Sequence, residues 1–406
     1  MSIFKHYCLN ILCKTKGDLI MVAVELTWDR VTKLRWIILS LVLPFIFLVL
    51  AFLSSCSAKS KAEIYYNKGL TYAGLNQYQR AIEEYNKAIS LKPDYVEAYN
   101  NRGVAYLGLG QYQRAVDDSN KVISLKPDYV DAYPIRGFAY LGLGQHQRAI
   151  DDLNKAISLK PDYADAYQGR GLAYGGLGQY QRALDDLNKA ISLKPDYAIA
   201  HYNRGVLYGR LRQYQPAIED YNKAISLKPD YTDAYNSRGG VYNELGQHQR
   251  AIEDLNKSIS LKPDYAGSYN SRGLVYSEVG QYQLAVDDFN KAIALDPKNI
   301  GFHQNLSEVL IIIGKLDQAE KVADVTLQAA QSTRDKVIGN YLKAVSFRLQ
   351  GKNTDQVDNE LRRLCAGEFK VSWSFDVFER WLKEAKITKA NNNYIRKTIA
   401  MLKNHQ

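Results

Sequence analysis

Apolar residues recur along the middle of the chain with the spacing of an amphipathic helix, and the whole pattern repeats every 34 residues. Each period contains two such stretches of about twelve to fourteen residues, a length typical of helices. A short break such as Gly108–Gln113 separates the two stretches of one period. A fixed period of this size indicates a repeat architecture, so it outweighs the secondary structure that any single stretch would suggest. The pattern predicts one helical hairpin per period, with seven regular units over residues 62–299.

The pentapeptide LKPDY separates each hairpin from the next. Its proline lacks a backbone N–H, so it ends the second helix of the hairpin. A weakened copy, LDPKN, begins at Leu295. The full copies begin at Leu91, Leu125, Leu159, Leu193, Leu227 and Leu261.

Small residues occupy two fixed positions of the 34-residue unit: position 8 is Gly and position 20 is Ala in all seven units. Glycine inside a helix costs about 1 kcal/mol relative to alanine, so seven such losses need a shared cause. We expect the second helix of each hairpin to approach the first helix closely there. The residues are Gly69, Gly103, Gly137, Gly171, Gly205, Gly239 and Gly273, with Ala81, Ala115, Ala149, Ala183, Ala217, Ala251 and Ala285.

This pattern resembles the tetratricopeptide repeat. The unit 62–95 has the family's residues at positions 4, 8, 11, 20, 24, 27 and 32, namely Tyr65, Gly69, Tyr72, Ala81, Tyr85, Ala88 and Pro93. Position 7 departs from the family, because it is Lys or Arg (for example Arg102) where Leu is usual. The resemblance implies an all-α fold, a right-handed superhelical solenoid of helix-turn-helix repeats.

The chain after the seventh unit is less regular. Residues 300–333 are predicted to be a degenerate eighth repeat, and residues 334–364 a possible ninth helical hairpin. Residues 365–406 are interpreted as a helical C-terminal cap, with a separate partner-binding module as the alternative. The segment that begins at Phe375 places apolar side chains on one helical face: Phe375, Phe378, Trp381, Leu382 and Ala385.

Residues 1–55 have the character of a leader. Lys33 and Arg35 precede the uncharged apolar run 36–53, and Ser54-Ser55-Cys56 follows it. This order resembles a bacterial lipobox, which implies that Cys56 receives a lipid and becomes the first residue of an exported lipoprotein, with 56–61 as a short linker. An uncleaved signal anchor in the membrane is the alternative. Met21 is a candidate for the true start.

The net charge of +10 is unevenly distributed: residues 1–61 and 300–406 carry +5 each, and residues 62–299 are neutral. A protein that binds phosphate backbones concentrates Lys and Arg on one working surface. The repeats do not, so nucleic acid is not an expected partner. The resemblance to bacterial lipoproteins instead places the chain in the cell envelope, at the outer membrane facing the periplasm or on an inner-membrane anchor.

No catalytic or metal-binding constellation is recognisable, and no cofactor is expected. His146 and His248 replace a tyrosine of the repeat and are interpreted as packing residues. Paired acids such as Asp117 and Asp118 recur near the start of second helices, where negative charge suits the helix dipole. We interpret them as a solvated charged face. An enzyme with its chemistry in the C-terminal tail is a less favoured alternative.

The family resemblance also implies a concave groove formed by the first helices, with positions 2, 5, 6, 9, 12 and 13 facing it. Position 2 is mostly acidic here, as in Glu97, and position 9 is mostly apolar. A row of amides could match the backbone of an extended partner segment, which we expect to be basic or neutral. The alternative is that these amides only solvate the groove. The candidate groove residues are Asn67, Asn100, Asn101, Phe138, Gln168, Asn203, Asn236 and Asn270. Together these features predict a non-catalytic scaffold for protein partners.

Overall fold

The computed structural model describes residues 7–15, 18–26, 61–366 and 375–403. The contacts between residues divide the chain into two compact units, residues 1–161 and residues 162–406.

The first unit contains a strand pair and three helical hairpins. Strand β1 (Tyr7–Thr15) pairs with β2 (Asp18–Leu26) in antiparallel register, with Tyr7 opposite Leu26. No element was expected in this part of the leader. The helices are α1 (61–74), α2 (Tyr78–Leu91), α3 (Val96–Gly108), α4 (Tyr112–Leu125), α5 (Ala132–Gly142) and α6 (His146–Leu159).

The second unit is helical throughout its described residues. Its first ten helices continue the hairpins: α7 (Ala164–Gly176), α8 (Tyr180–Leu193), α9 (Ala198–Arg210), α10 (Tyr214–Leu227), α11 (Thr232–Glu244), α12 (His248–Leu261), α13 (Ala266–Glu278), α14 (Tyr282–Leu295), α15 (Ile300–Ile312) and α16 (Leu316–Ala329). Four more follow: α17 (Thr333–Leu349), α18 (Asp355–Cys365), α19 (Asp376–Glu384) and α20 (Lys389–Lys403). The prediction of an all-α solenoid of helix-turn-helix repeats is confirmed.

The turn inside each hairpin depends on one residue with positive φ. At Gly110 the φ angle is +69°, and the next amide, of Gln111, donates to the carbonyl of Tyr106 at 2.9 Å. Glycine reaches this left-handed conformation without a steric penalty, which explains why six of the eight turns from α1 to α16 have glycine at this place. Asn76 and Arg212 have the same backbone conformation in their turns.

The LKPDY segment forms the turn between hairpins. The amide of Lys92 donates to the carbonyl of Ala88 at 2.9 Å and closes the second helix. The amide of Tyr95 then donates back to the carbonyl of Lys92 at 3.1 Å, across Pro93 and Asp94. The Lys92 ammonium also lies 4.1 Å from the centre of the Tyr95 ring, a cation–π contact. The recurring pentapeptide is therefore one compact turn.

The two helices of a hairpin approach each other closely at the glycine of position 8, as expected, but the nearest contact is not the alanine side chain at position 20. A Cβ atom added to Gly239 would lie 3.0 Å from the Leu255 side chain and 3.2 Å from the carbonyl oxygen of Ala251. In six of the seven units the side chain at position 24 fills the space above the glycine, and at Gly103 the side chain of Ile135 from the next repeat lies nearest. The alanine at position 20 brings its backbone close. All seven alanines at position 20 are fully buried.

The apolar run 36–53 and Cys56 lie outside the described residues. Within the described ranges, no helix combines the length and apolar character needed to cross a membrane. Helices α17 and α18 occupy the range suggested for a ninth hairpin, and α19 and α20 lie in the C-terminal segment.

Candidate protein-binding face

The odd-numbered helices from α1 to α15 are the first helices of their hairpins, and they form one continuous side in each unit. In the first unit α3 contacts α5, and in the second unit α7, α9, α11, α13 and α15 contact one another in sequence. The even-numbered helices α2 to α16 differ from them. Among the described elements, each makes substantial contacts only with the helices next to it in sequence. We call this side of either unit, formed by positions 2, 5, 6 and 9 of its odd-numbered helices, the first-helix face.

Position 9 gives this face an apolar, solvent-exposed row. Four of its residues expose more than a third of their surface, namely 40% for Leu70, 44% for Val104, 37% for Leu172 and 37% for Leu274, whereas Val206 is half-buried. Phe138, at the same position, is half-buried. Apolar side chains exposed at regular intervals along one side are typical of a surface that contacts another molecule.

Two of the predicted groove amides connect successive hairpins. The side-chain amide of Asn101 donates to the hydroxyl of Tyr66 at 2.9 Å. The side-chain oxygen of Asn270 accepts a hydrogen bond from Asn305 at 2.8 Å. Both bonds join position 5 of one repeat to position 6 of the next, so these two amides have a structural role as well as a place on the face.

Four other predicted amides carry a buried polar atom that has no hydrogen-bond partner among the described residues. Asn100 and Gln168 are themselves buried, with 8% and 2% exposure. Such atoms are costly to bury unpaired, so they favour a bound group that can pair with them. The atoms are Asn100 Oδ1, Gln168 Nε2, Asn203 Nδ2 and Asn236 Oδ1. The eighth predicted residue, Asn67, is exposed.

Tyrosines at position 34, the last residue of LKPDY, pair with acids at position 2 on this face. The Tyr197 hydroxyl donates to a carboxylate oxygen of Asp165. Burial, and then the charge and hydrogen bond of Asp233, raise the pKa of Tyr265 to about 12. The candidate residues from sequence did not include these tyrosines, although their recurrence in the pentapeptide was the available signal.

A small pocket opens on the face between α7 and α9. It has a volume of about 160 Å³, and the apolar side chains around it include Leu172 and Val206. Glycines on α7 create the space, because Gly175 and Gly176 provide no side chains to fill it. Asn203 and Arg210 also line it. A volume of this size accommodates a benzene-sized group.

The Arg at position 7 explains the departure from the family pattern. Arg238 makes a two-pronged ion pair with Asp254, with both nitrogen–oxygen distances 2.7 Å. Its third nitrogen donates to Asn222 of the preceding repeat. The Arg–Asp pair recurs in Arg102–Asp118, Arg136–Asp152, Arg170–Asp186, Arg204–Asp220 and Arg272–Asp288. A planar guanidinium suits this bidentate geometry, which a leucine cannot provide.

The interpretation of the paired acids as a solvated face is wrong for one residue of each pair. Asp117 is exposed, but Asp118 is buried and paired with Arg102. Burial raises the pKa of Asp118, and the hydrogen bonds and charge of Arg102 offset part of that rise. At Asp220, a second donor reverses the balance: Arg204 and His201 together lower the pKa despite burial. In the next two units Asp151 and Asp185 are likewise exposed, whereas Asp152 and Asp186 are buried and paired with arginine.

The two histidines interpreted as packing residues are both half-buried. His248 Nδ1 lies 3.0 Å from the side-chain oxygen of Asn243, at the junction of α11 and α12. In the described ranges, no group of three or more His, Cys, Asp or Glu residues is placed to hold a metal ion.

Models of the tetratricopeptide repeat match more than half of the 406 residues. One, described as TPR repeat, matches residues 75–110, 137–178, 176–211 and 239–280. Two others, described as tetratricopeptide repeat, match 96–129, 198–231 and 266–299, and 289–321. The chain belongs to the tetratricopeptide repeat family. This is generally a fold of non-catalytic scaffolds that bind protein partners.

Solved structures with a similar fold include a chain of the APC/C hetero-tetramer Cut9–Hcn1, at a TM-score of 0.56 and 16% identity. That match covers 66% of this chain and 52% of the other, so this chain spans about half of its length. A tetratricopeptide repeat protein from Parabacteroides merdae ATCC 43184 matches at a TM-score of 0.50 and 22% identity, over 62% of this chain and 99% of that one. These identities show the fold alone. A search of curated proteins gives no match.

Proposed function

We propose that this chain is a non-catalytic interaction scaffold whose first-helix face binds an extended segment of a partner protein. The observation that carries the proposal is the set of buried amide atoms without partners on the first-helix face of the second unit, where Gln168 Nε2 and Asn203 Nδ2 can donate and Asn236 Oδ1 can accept. An extended peptide backbone offers both carbonyls and N–H groups at regular spacing, so it can satisfy such a row.

The pocket between α7 and α9 supplies an anchor for one apolar side chain of that segment. Leu172 and Val206 provide apolar contacts, and the Asn203 amide can donate to a backbone carbonyl beside the anchor. Interfaces gain most of their affinity from a few side chains in such desolvated pockets.

The charge of the face favours a basic or neutral segment. Acids at position 2 include Glu63, Glu97 and Asp131 in the first unit, and Asp165 and Asp233 in the second unit. Charge complementarity mainly increases the association rate and excludes partners of the wrong sign.

Selection from a library of extended peptides tests this function. The selected peptides should carry net positive charge and one large apolar residue, and Leu172→Glu should weaken their binding at least tenfold. Leu284→Glu is the matched control, because Leu284 is equally apolar and is 46% exposed on a second helix. Equal loss in both variants, or none in Leu172→Glu, would contradict the assignment of the face.

The charge preference has its own test. Asp165→Asn keeps an acceptor for the Tyr197 hydroxyl but removes the negative charge, and so does Asp233→Asn for the corresponding tyrosine. The double variant should bind basic peptides several-fold more weakly at low salt and about equally at high salt, where surface charges are screened. An unchanged affinity at low salt would reject the charge argument.

We also propose that the scaffold is attached to the bacterial cell envelope through a lipid on Cys56. Support comes from the order of basic residues, apolar run and Cys56 in the sequence. Labelling with a clickable fatty acid should mark the wild type and not Cys56→Ala. Label in neither would favour an uncleaved anchor in the inner membrane.

A further inference from the structure

Helix α19 covers the first-helix face where the repeats end. Its neighbours include α15, the first helix of the eighth repeat. Position 9 of that repeat is Glu308, which is only 6% exposed, whereas Leu274 at the same position one repeat earlier is 37% exposed. The apolar residues around Glu308 on α15, from Leu306 to Ile312, are all buried.

Three apolar side chains attach α19 to this surface. Phe375, Phe378 and Leu382 are buried in a cluster with residues of α15 and α17. Tyr341 on α17 contacts both phenylalanine rings edge-on, with ring centres 5.8 and 5.9 Å away. The spacing of three and four residues is that of one helical face, so α19 binds as an amphipathic helix does.

Two polar contacts fix the direction of α19 on the face. The backbone N–H of Phe378, in the first turn of α19, donates to the carboxyl group of Glu308. Arg380 Nη1 donates to the carbonyl oxygen of Glu278 at 2.5 Å, at the end of α13. Both contacts satisfy backbone groups that a helix end leaves unpaired. The face therefore recognises one end of a helix as well as its apolar side.

We propose that the part of the first-helix face formed by α13 and α15 is a helix-binding site, occupied by α19 until a partner helix replaces it. The partner that fits is an amphipathic helix with aromatic residues three apart, an aliphatic residue four further on, and an Arg or Lys between them. The contacts of Arg380 and of the three buried side chains define that pattern. This helix-binding site is a different part of the face from the pocket between α7 and α9.

Glu308 makes the occupied state sensitive to pH. Burial and the charge of Asp376 raise the pKa of Glu308 to about 8, against the hydrogen bond from Phe378. Tyr341 also faces this carboxyl, and its own neighbours include Glu379 and Tyr394. A carboxyl with a raised pKa binds a proton more tightly in the docked state. Docking is therefore strongest below about pH 5 and weakens as the pH rises towards 8.

Hydrogen exchange on the full-length protein measures the docking of α19. After correction for the intrinsic exchange rate, its amides should be protected on the order of 50-fold more at pH 6 than at pH 8. Glu308→Gln should remove this pH dependence, and Glu253→Gln, which changes an exposed carboxyl on α12, should leave it intact. Protection that is independent of pH in the wild type, or still dependent in Glu308→Gln, overturns the role of Glu308.

A labelled, N-acetylated peptide of residues 375–386 is the probe for the site itself. It should bind Phe378→Ala, whose resident helix is weakened, at least tenfold more tightly than it binds the wild type. Arg380→Ala removes only a surface contact and should give a smaller gain in the same direction. A peptide with both phenylalanines replaced by Asp should not bind. Failure of the peptide to bind either protein variant, with wild-type circular dichroism, overturns the proposal.

The same variants separate this proposal from the function proposed above. Library-selected peptides that depend on Leu172 should bind Phe378→Ala and Arg380→Ala as they bind the wild type. If those peptides fail and the 375–386 peptide binds, only the helix-binding site stands.

Discussion

Helices α13 and α15 occupy the same place in consecutive repeats, yet their surroundings are opposite. On α13, position 7 is Arg272, paired with Asp288, and position 9 is the exposed Leu274. On α15, position 7 is the buried Leu306, and position 9 is the buried Glu308. The two repeats share the same backbone fold but differ in their contacts. The seventh repeat has an Arg–Asp ion pair, which we call the clamp, beneath an exposed face, and the eighth repeat has apolar contacts beneath a covered face. Whether the first-helix face is exposed therefore depends on the position of the repeat in the array as well as on the repeat motif.

The largest expected difference between α13 and α15 is the loss of stability when a side chain at the face is truncated, because only α15 is covered by another helix. Phe378→Ala removes a fully buried ring above α15 and should cost about 3–5 kcal/mol of the stability of the C-terminal helices. Leu274→Ala truncates an exposed side chain on α13 and should change stability by less than about 0.5 kcal/mol. Hydrogen exchange resolves the two regions separately. Similar effects would mean that the face is equally covered in both repeats.

The Arg272–Asp288 clamp is expected to make the second-largest contribution to stability. Arg272→Leu leaves Asp288 buried without its partner, and it should destabilise the seventh repeat by about 3 kcal/mol. The double variant Arg272→Leu/Asp288→Val copies Leu306 and Val322 of the eighth repeat, and should regain most of that loss. Urea unfolding of the single and double variants checks this. A double variant as unstable as the single would show that the clamp is more than a removable polar pair.

Adjacent glycines on α11 give a smaller, matched pair. Gly239→Ala places a Cβ 3.0 Å from Leu255 and 3.2 Å from the Ala251 carbonyl, so it should destabilise by about 1–2 kcal/mol. Gly240, at position 9 of the same helix, has nothing within 4 Å of an added Cβ. Gly240→Ala should therefore stabilise by about 0.5–1 kcal/mol, through helix propensity. Thermal unfolding distinguishes the signs, and equal signs would reject the difference in packing.

The smallest expected effect concerns a turn. Arg212 has a φ angle of +56°, where six other hairpin turns in the described residues have glycine. Arg212→Gly should stabilise by about 1 kcal/mol because the left-handed conformation is costly for a residue with a Cβ atom. Gly246→Ala, at the same place in the next hairpin, should destabilise by a similar amount. Thermal unfolding of both variants measures this, and a destabilised Arg212→Gly would contradict the argument.

The regular helices were predictable from the sequence because each repeat has the same residue types at the positions that form its turns and helix contacts. Pro, Gly and Ala recur at fixed positions, so the turns and the close helix contacts follow from periodicity. The Arg–Asp clamp was not predicted, because its partners lie 16 residues apart and each resembles an ordinary surface charge. Periodicity reports which residues share a helix face, but pairing across helices depends on how the helices cross.

The candidate face was only partly predictable for a similar reason. Position numbers placed the amides on the first helices, but Asn101 and Asn270 also bond to neighbouring repeats, and that depends on the distance between helices. Glu308 did not stand out, since a single acid in a degenerate repeat looks like a solvated charge. Its burial follows from α19, which is separated from it by more than 60 residues along the chain.

Photo-crosslinking of a library-selected peptide to two variants of the full-length chain shows directly which surface holds the partner. One carries a photoreactive phenylalanine analogue at Leu172, on the first-helix face, and the other carries it at Leu284, on a second helix. We expect efficient crosslinking at Leu172, suppressed by unlabelled peptide, and background levels at Leu284. Equal crosslinking at the two positions, or a preference for Leu284, would contradict the claim that the first-helix face holds the partner.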